Sequence, residues 1–297
     1  MKRSLAFAIL VLSLALILPA TGIARSIDPV VYTDWLAGNA NDPKIVIVDI
    51  RKVEDYKAGH IPKAVNIFYN TWAITDGKLR NQVPPADDLA DIINSAGIAA
   101  DSKVVLVGNS DNPSNRANIT RVAWTLKYAG FENVAILDGG WEKWTAEKKP
   151  VATDTVKPKA ANFPLKLNKN ITVAKDAVKA AIGKELIVDA REKDFYEGKK
   201  KLEFVEKTGR IKSAVNLPAS AAYNPNGTFK SKKELADIAA KVVGTDLNKN
   251  IIVYCDTGKL ATVWGYLLTD VLGYKNVRLY DGSSEEWMAD PTAPVEP

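Results

Sequence analysis

The sequence predicts an α/β protein made of two tandem copies of one fold, each a parallel sheet covered by helices on both faces. Three observations carry that prediction. Short, β-branched apolar runs alternate with longer amphipathic segments along the whole chain, the pattern of buried parallel strands joined by helical crossovers. Motifs of the first half recur in the second in the same order, the signature of an internal repeat. The 297 residues, about 270 of them after the expected signal, suit one large domain or two ordinary ones, and the repeat selects two.

Taken in order, the chain begins with Lys2 and Arg3, an apolar run from Leu5 to Leu18, Pro19 and the small-residue stretch Ala20 to Ala24. This reads as a secretory signal peptide over 1–24, cut after Ala24, and its apolar run is too short for a comfortable membrane span. No later stretch approaches the roughly 20 apolar residues of a spanning helix, so the mature product is expected to be periplasmic or extracellular, with no membrane span. Loss of Lys2 and Arg3 takes the net charge from +5 to +3. That is too small, and the charges too well mixed, to argue for nucleic acid. The cluster Lys199, Lys200, Lys201 reads as a solvated loop.

Residues 25–150 form the first copy, 151–164 a Lys- and Pro-rich linker, and 165–297 the second copy. "IVIVDIRKVEDY" (45–56) is echoed by "LIVDAREKDFY" (186–196), "GHIPKAVNI" (59–67) by "GRIKSAVNL" (209–217), and "DDLADII" by "KELADIA". "VVLVG" (104–108) matches "IIVYC" (251–255), and "YAGFENVAILDGGWEKW" (128–144) matches "VLGYKNVRLYDGSSEEW" (271–287). Strands are expected at 46–49, 104–107 and 134–137, with counterparts at 187–189, 251–254 and 277–280. Ser231 and Glu234 stand at capping-box spacing, so a helix should start there. An amphipathic helix is expected over 262–272.

The chain holds a single cysteine, Cys255, and therefore no internal disulfide. It lies where a strand should end, one short loop before a helix, on the edge of an open α/β sheet where ligands bind. In "CDTGKLA" Gly258 can take the positive φ that a tight cradle needs. Backbone N–H groups of residues 256–260 pointing at the sulfur would favour the thiolate, which is the nucleophile. The expected result is a thiol pKa below the reference of about 8.5, helped by Lys259, with the Asp256 carboxylate turned outward. A buried cysteine acting as a small hydrophobe is the competing reading.

The tandem architecture, the "DxR" after the early strand (Asp49 and Arg51, Asp189 and Arg191), "GHIPKAVN", "CDTGKLA" and "YDGSSEEW" together resemble the two-domain rhodanese sulfurtransferases, over nearly the whole mature chain. The resemblance implies a persulfide on Cys255 that takes sulfane sulfur from a small anionic donor such as thiosulfate or mercaptopyruvate. It passes that sulfur to a thiophilic acceptor such as cyanide or a thiol. No cofactor is implied beyond the covalent persulfide, and no metal; an exported redox or sulfur-carrier protein is a candidate partner. The first half, with Gly108 in place of the cysteine, resembles the inactive domain of the family.

Candidate contacts for the substrate are Asp256, Thr257, Gly258, Lys259 and Leu260 in the loop, with Arg191 and Arg210 outside it. Thiosulfate-using members tend to carry basic residues just after the cysteine and mercaptopyruvate-using members small ones, where this chain has Asp256 and Thr257; the family's substrate-binding arginine would lie four residues after Arg191, where this chain has Phe195. The alternative reading is a protein that binds a sulfur, selenium or tellurium oxyanion, or carries sulfur, without turnover. Phosphatases with this fold need an arginine at the loop end, which is Ala261 here, so phosphoryl transfer is not expected. The only histidine, His60, is expected to stabilise a turn, and Trp144, Trp264 and Trp287 to pack in the core.

Overall fold

A computed structural model describes residues 25–297; the expected signal peptide lies outside them. Nine strands of the two main sheets run parallel. The first sheet joins β1 (Val30–Val31), β2 (Ile45–Asp49), β3 (Val65–Asn66), β6 (Lys103–Val107) and β7 (Val134–Leu137) in the order β1-β7-β6-β2-β3. Between β3 and β6 the chain puts out an antiparallel hairpin of β4 (Ile74–Asp76) and β5 (Leu79–Gln82). The second sheet joins β8 (Leu186–Asp189), β10 (Val215–Asn216), β11 (Asn250–Tyr254) and β12 (Asn276–Leu279) in the order β10-β8-β11-β12. A short antiparallel pair of β9 (Arg210–Ile211) and β13 (Val295–Glu296) ties the C-terminus to the second copy.

The strands lie where the apolar runs placed them, because residues buried on both faces of a sheet leave no polar alternation to mistake for helix. Val104 to Val107 and Ile251 to Tyr254 are fully buried. The register repeats: β2 pairs with β3 and β6 as β8 pairs with β10 and β11, with Asp49 and Asp189 at matching rungs. A helix runs over Lys232–Val243, and Ser231 and Glu234 close the capping box reciprocally. The linker is tied down along its length: Ala161 N donates to Asn94 O at 3.0 Å and Phe163 packs edge-on against Phe131.

One expected element differs in character. The helix after the cysteine loop covers Ala261–Tyr266 and widens into a π-turn over Leu267–Val271. It is buried all round rather than amphipathic. The reason is tertiary, since it packs against the long helix Pro113–Tyr128 of the first copy, where Thr120 Oγ1 and Thr262 Oγ1 lie 2.9 Å apart. A helix wedged between two domains has no solvent face to encode. Among the described residues no helix is long and apolar enough to cross a membrane.

The tryptophans and the histidine sit as expected. Trp144, Trp264 and Trp287 are buried, and their indole N–H groups donate to Pro150 O, Pro218 O and Pro294 O. His60 is stacked on Tyr56 with centroids 3.8 Å apart, and its main chain pairs with Ala152. Lys199 and Lys200 pair with Glu197 and Asp194 in an exposed loop.

Candidate active site

Cys255 follows β11 directly, at the carboxyl end of the second sheet and the floor of a cleft of about 520 Å³. The loop is held open by its own main chain and by one serine. Ser283 Oγ accepts from Cys255 N at 3.1 Å and from Gly258 N at 3.0 Å, and donates to Tyr280 O at 2.8 Å. Ser283 has φ +49, a left-handed conformation that a non-glycine residue adopts only where the surroundings enforce it. At Gly258, φ is +73 and a Cβ would stand 2.5 Å from Asp281 Oδ1, so only glycine fits. With that turn made, the N–H groups of Thr257 and Ala261 face the sulfur and favour its anion.

The electrostatics differ from the sequence-based expectation. Burial pushes the Cys255 thiol up, the Asp256 carboxylate adds to the rise, and the two N–H groups only partly oppose it. The site at rest therefore favours the thiol. The expectation of a depressed pKa fails because a sulfur buried on the cleft floor loses more hydration than two N–H groups return. Asp256 likewise does not turn outward. It is buried, with Oδ1 at 3.5 Å from Arg191 Nη1, and burial holds its carboxyl up at about 6. Its main chain is pinned by Glu285 N, which donates to Asp256 O at 2.9 Å.

Of the residues named from the sequence, Cys255, Asp256, Thr257, Lys259 and Leu260 line the cleft, and Gly258 shapes the loop beneath it. Lys259 Nζ reaches across to Ser114 Oγ at 2.7 Å, and burial lowers its pKa, which weakens its hold on the proton. Arg191 and Arg210, expected as substrate contacts, do not line the cleft. Arg191 donates to both oxygens of Asp189 and to Gly209 O at 2.8 Å. Arg51 makes the same contacts to Asp49 and Gly59 O in the half without a cysteine, so this geometry belongs to the fold. Arg210 lies by the C-terminal strand pair, stacked on Tyr196 and 3.5 Å from Glu296, away from the cleft.

The first copy supplies what the loop does not. Arg80, Asn81, Pro113 and Ser114 form one wall, and Leu202 and Phe204 of the second copy form another. Asn81 Nδ2 donates to Thr257 Oγ1 at 2.8 Å while Asn81 Oδ1 accepts from Tyr69 O–H at 2.7 Å. Arg80 pairs with Glu285 and lies over the Phe204 ring at 3.9 Å. Beneath the loop, the fully buried Arg121 pairs with both oxygens of Asp281. The first-copy residues Arg80, Asn81, Ser114 and Arg121 have no local sequence signal, because each acts across more than 100 residues of chain. Ser283 did carry one: it stands where the first copy has Gly140, also left-handed at φ +57.

The sequence profile described as "Rhodanese-like domain" matches residues 32–147 and again 174–290. A Mycolicibacterium smegmatis protein named "Putative thiosulfate sulfurtransferase" is 34% identical over 282 residues, covering 92% of this chain and 99% of that protein. The Thermus thermophilus sulfur carrier protein TtuD is 31% identical over 276 residues, covering 88% of this chain and 93% of that one. Among solved structures, the anaerobic ergothioneine biosynthesis enzyme of Chlorobium limicola superposes with a TM-score of 0.80 at 24% identity, over 90% of this chain and 70% of that one. With the profile matched once in each copy and the cysteine in the second, the chain belongs to the rhodanese family, as a tandem sulfurtransferase of that family.

Proposed function

We propose that this protein moves sulfane sulfur from a small anionic donor to a thiophilic acceptor through a persulfide on Cys255. The observation that carries the reading is the placement of Cys255, alone on the floor of an interdomain cleft, with the Thr257 and Ala261 N–H groups facing its sulfur. In the first half-reaction the thiolate attacks the outer sulfur of the donor. With thiosulfate, the S–S bond breaks and sulfite leaves with the bonding pair; with mercaptopyruvate, the C–S bond breaks and the carbon takes the pair and a proton.

The persulfide places its terminal anionic sulfur further into the cleft, toward Lys259. An acceptor such as cyanide then attacks that sulfur, leaves as thiocyanate, and returns the thiolate, so no outside oxidant or reductant is consumed. A persulfide with no second cysteine in the chain cannot collapse to an internal disulfide. The sequence of residues 1–24 supports export before this chemistry occurs, and N-terminal sequencing of the secreted product should begin at Arg25.

Intact mass spectrometry after incubation with thiosulfate, and separately with mercaptopyruvate, tests the reading. The expected result is a gain of one sulfur atom from at least one donor, removed by cyanide as thiocyanate and absent in Cys255→Ser. Loading that cyanide cannot discharge but a partner protein thiol can would favour the sulfur-carrier reading, which the likeness to TtuD supports. No sulfur gain, with an oxyanion still bound by Cys255→Ser, would replace transfer by binding.

A further inference from the structure

The first copy has kept a pocket at the place where the second has its active site. It lies at the carboxyl ends of β2 and β6, has a volume of about 320 Å³, and is lined by Arg51, Lys52, Asp55, Asn70, Asn109 and Asn118 among others. Nothing in the sulfur-transfer chemistry uses these residues. Where the second copy closes its Arg191 with a carboxylate at Asp256, the first has Asn109, one residue after Gly108 as Asp256 is one after Cys255. Among the described residues Arg51 Nη1 accordingly has no carboxylate partner, while its Nε and Nη2 are spent on Asp49. Asn118 Oδ1 is buried there with no hydrogen-bond partner among the described residues. A buried amide oxygen left unpaired is costly, so a ligand that supplies a donor is favoured.

The charges in the pocket narrow the ligand. Arg51 is balanced by Asp49, which leaves the Lys52 ammonium and the Asp55 carboxylate, so the lining is close to neutral while presenting both signs. A lone anion would face Asp55 and a lone cation would face Lys52 and Arg51. A small molecule carrying both charges satisfies both, with its carboxylate toward Arg51 Nη1 and Lys52 and its ammonium toward Asp55 and Asn118 Oδ1. We propose that this pocket binds a zwitterionic α-amino acid. Tyr69 is shared between this pocket and the chain of hydrogen bonds through Asn81 to Thr257, so the site abuts the catalytic loop without overlapping it.

Saturation-transfer NMR on the full mature chain carrying Cys255→Ser tests the proposal without any sulfur chemistry, so it stands apart from the transfer reading. The probes are the common L-amino acids at millimolar concentration, with propionate and ethylamine as single-charge controls. The expected result is binding of at least one amino acid, weakened at least roughly tenfold by Lys52→Ala and by Asn118→Leu and unchanged by Lys259→Ala. Lys52 is exposed, so its variant should fold even if Asn118→Leu does not. Failure of every amino acid to bind would overturn the proposal. So would equal binding of propionate or ethylamine, binding that survives Lys52→Ala, or binding lost on Lys259→Ala.

Discussion

Asp256 sets the working state of the nucleophile beside it. Its carboxyl, at about 6 against an ordinary 3.8, is mostly ionised at neutral pH and adds to the burial that pushes the Cys255 thiol up. Asp256→Asn removes the nearby negative charge, so the pH profile of Cys255 alkylation should move to lower pH. At pH 7 the reaction should run several-fold faster, on the order of half a pH unit or more of shift. An unmoved profile would mean that burial alone governs the thiol.

The same residue makes a prediction about stability. A carboxyl whose folded pKa is raised binds more protons folded than unfolded between about pH 4 and 6, so stability falls as pH rises through that window and stays lower above it. Asp256→Asn should therefore stabilise the protein above pH 6, by up to about 3 kcal/mol, and have little effect near pH 4. Denaturant titrations of both proteins at pH 4 and pH 8 give that difference directly.

At the scale of the element, the loop from Cys255 to Ala261 works because its turn is closed from below. Gly258 lies against Asp281, and Asp281 cannot retreat because Arg121 holds both of its oxygens. Gly258→Ala should cost about 2–4 kcal/mol through positive-φ strain and that contact, and should lower sulfur loading at least tenfold by turning the Thr257 N–H off the sulfur. Thermal unfolding and the mass assay on the same sample separate the two effects. Ser283 is the complementary device, one hydroxyl that gathers the N–H groups at both ends of the turn.

Across the whole molecule, the first copy lacks a nucleophile yet builds half the site. Its hairpin delivers Arg80 and Asn81 to the cleft, and its long helix delivers Ser114 and Arg121. Arg121→Met would leave the half-buried Asp281 under the loop without its cation, at a cost of about 2–4 kcal/mol. The expected readout is a fall in Tm of roughly 5–15 °C with loss of sulfur loading. Pairing it with Asp281→Asn should recover part of the stability, because the unpaired charge is then gone. A Tm unchanged by the single substitution would show that the two copies do not depend on this pair.

The sequence by itself determined the repeat, the parallel strands and the position of Cys255. Each is written in contiguous residues: apolar runs set β2, β6, β8 and β11, the order of paired motifs sets the duplication, and a strand followed by a glycine turn puts a thiol at a sheet edge. The tertiary structure alone decided the charge environment and the walls of the site. Arg191 looked like an anion contact until its bonds to Asp189 and Gly209 O proved to be shared with Arg51 in the half without a cysteine, and its remaining nitrogen faced Asp256. Asp256 looked free to face solvent until the strand-end turn buried it. Asn81 meets the catalytic loop across 176 residues, and Arg121 meets Asp281 beneath that loop across 160. Periodicity and local spacing carry no record of such pairings, since desolvation and cross-domain contacts are properties of the folded surface and not of neighbouring letters.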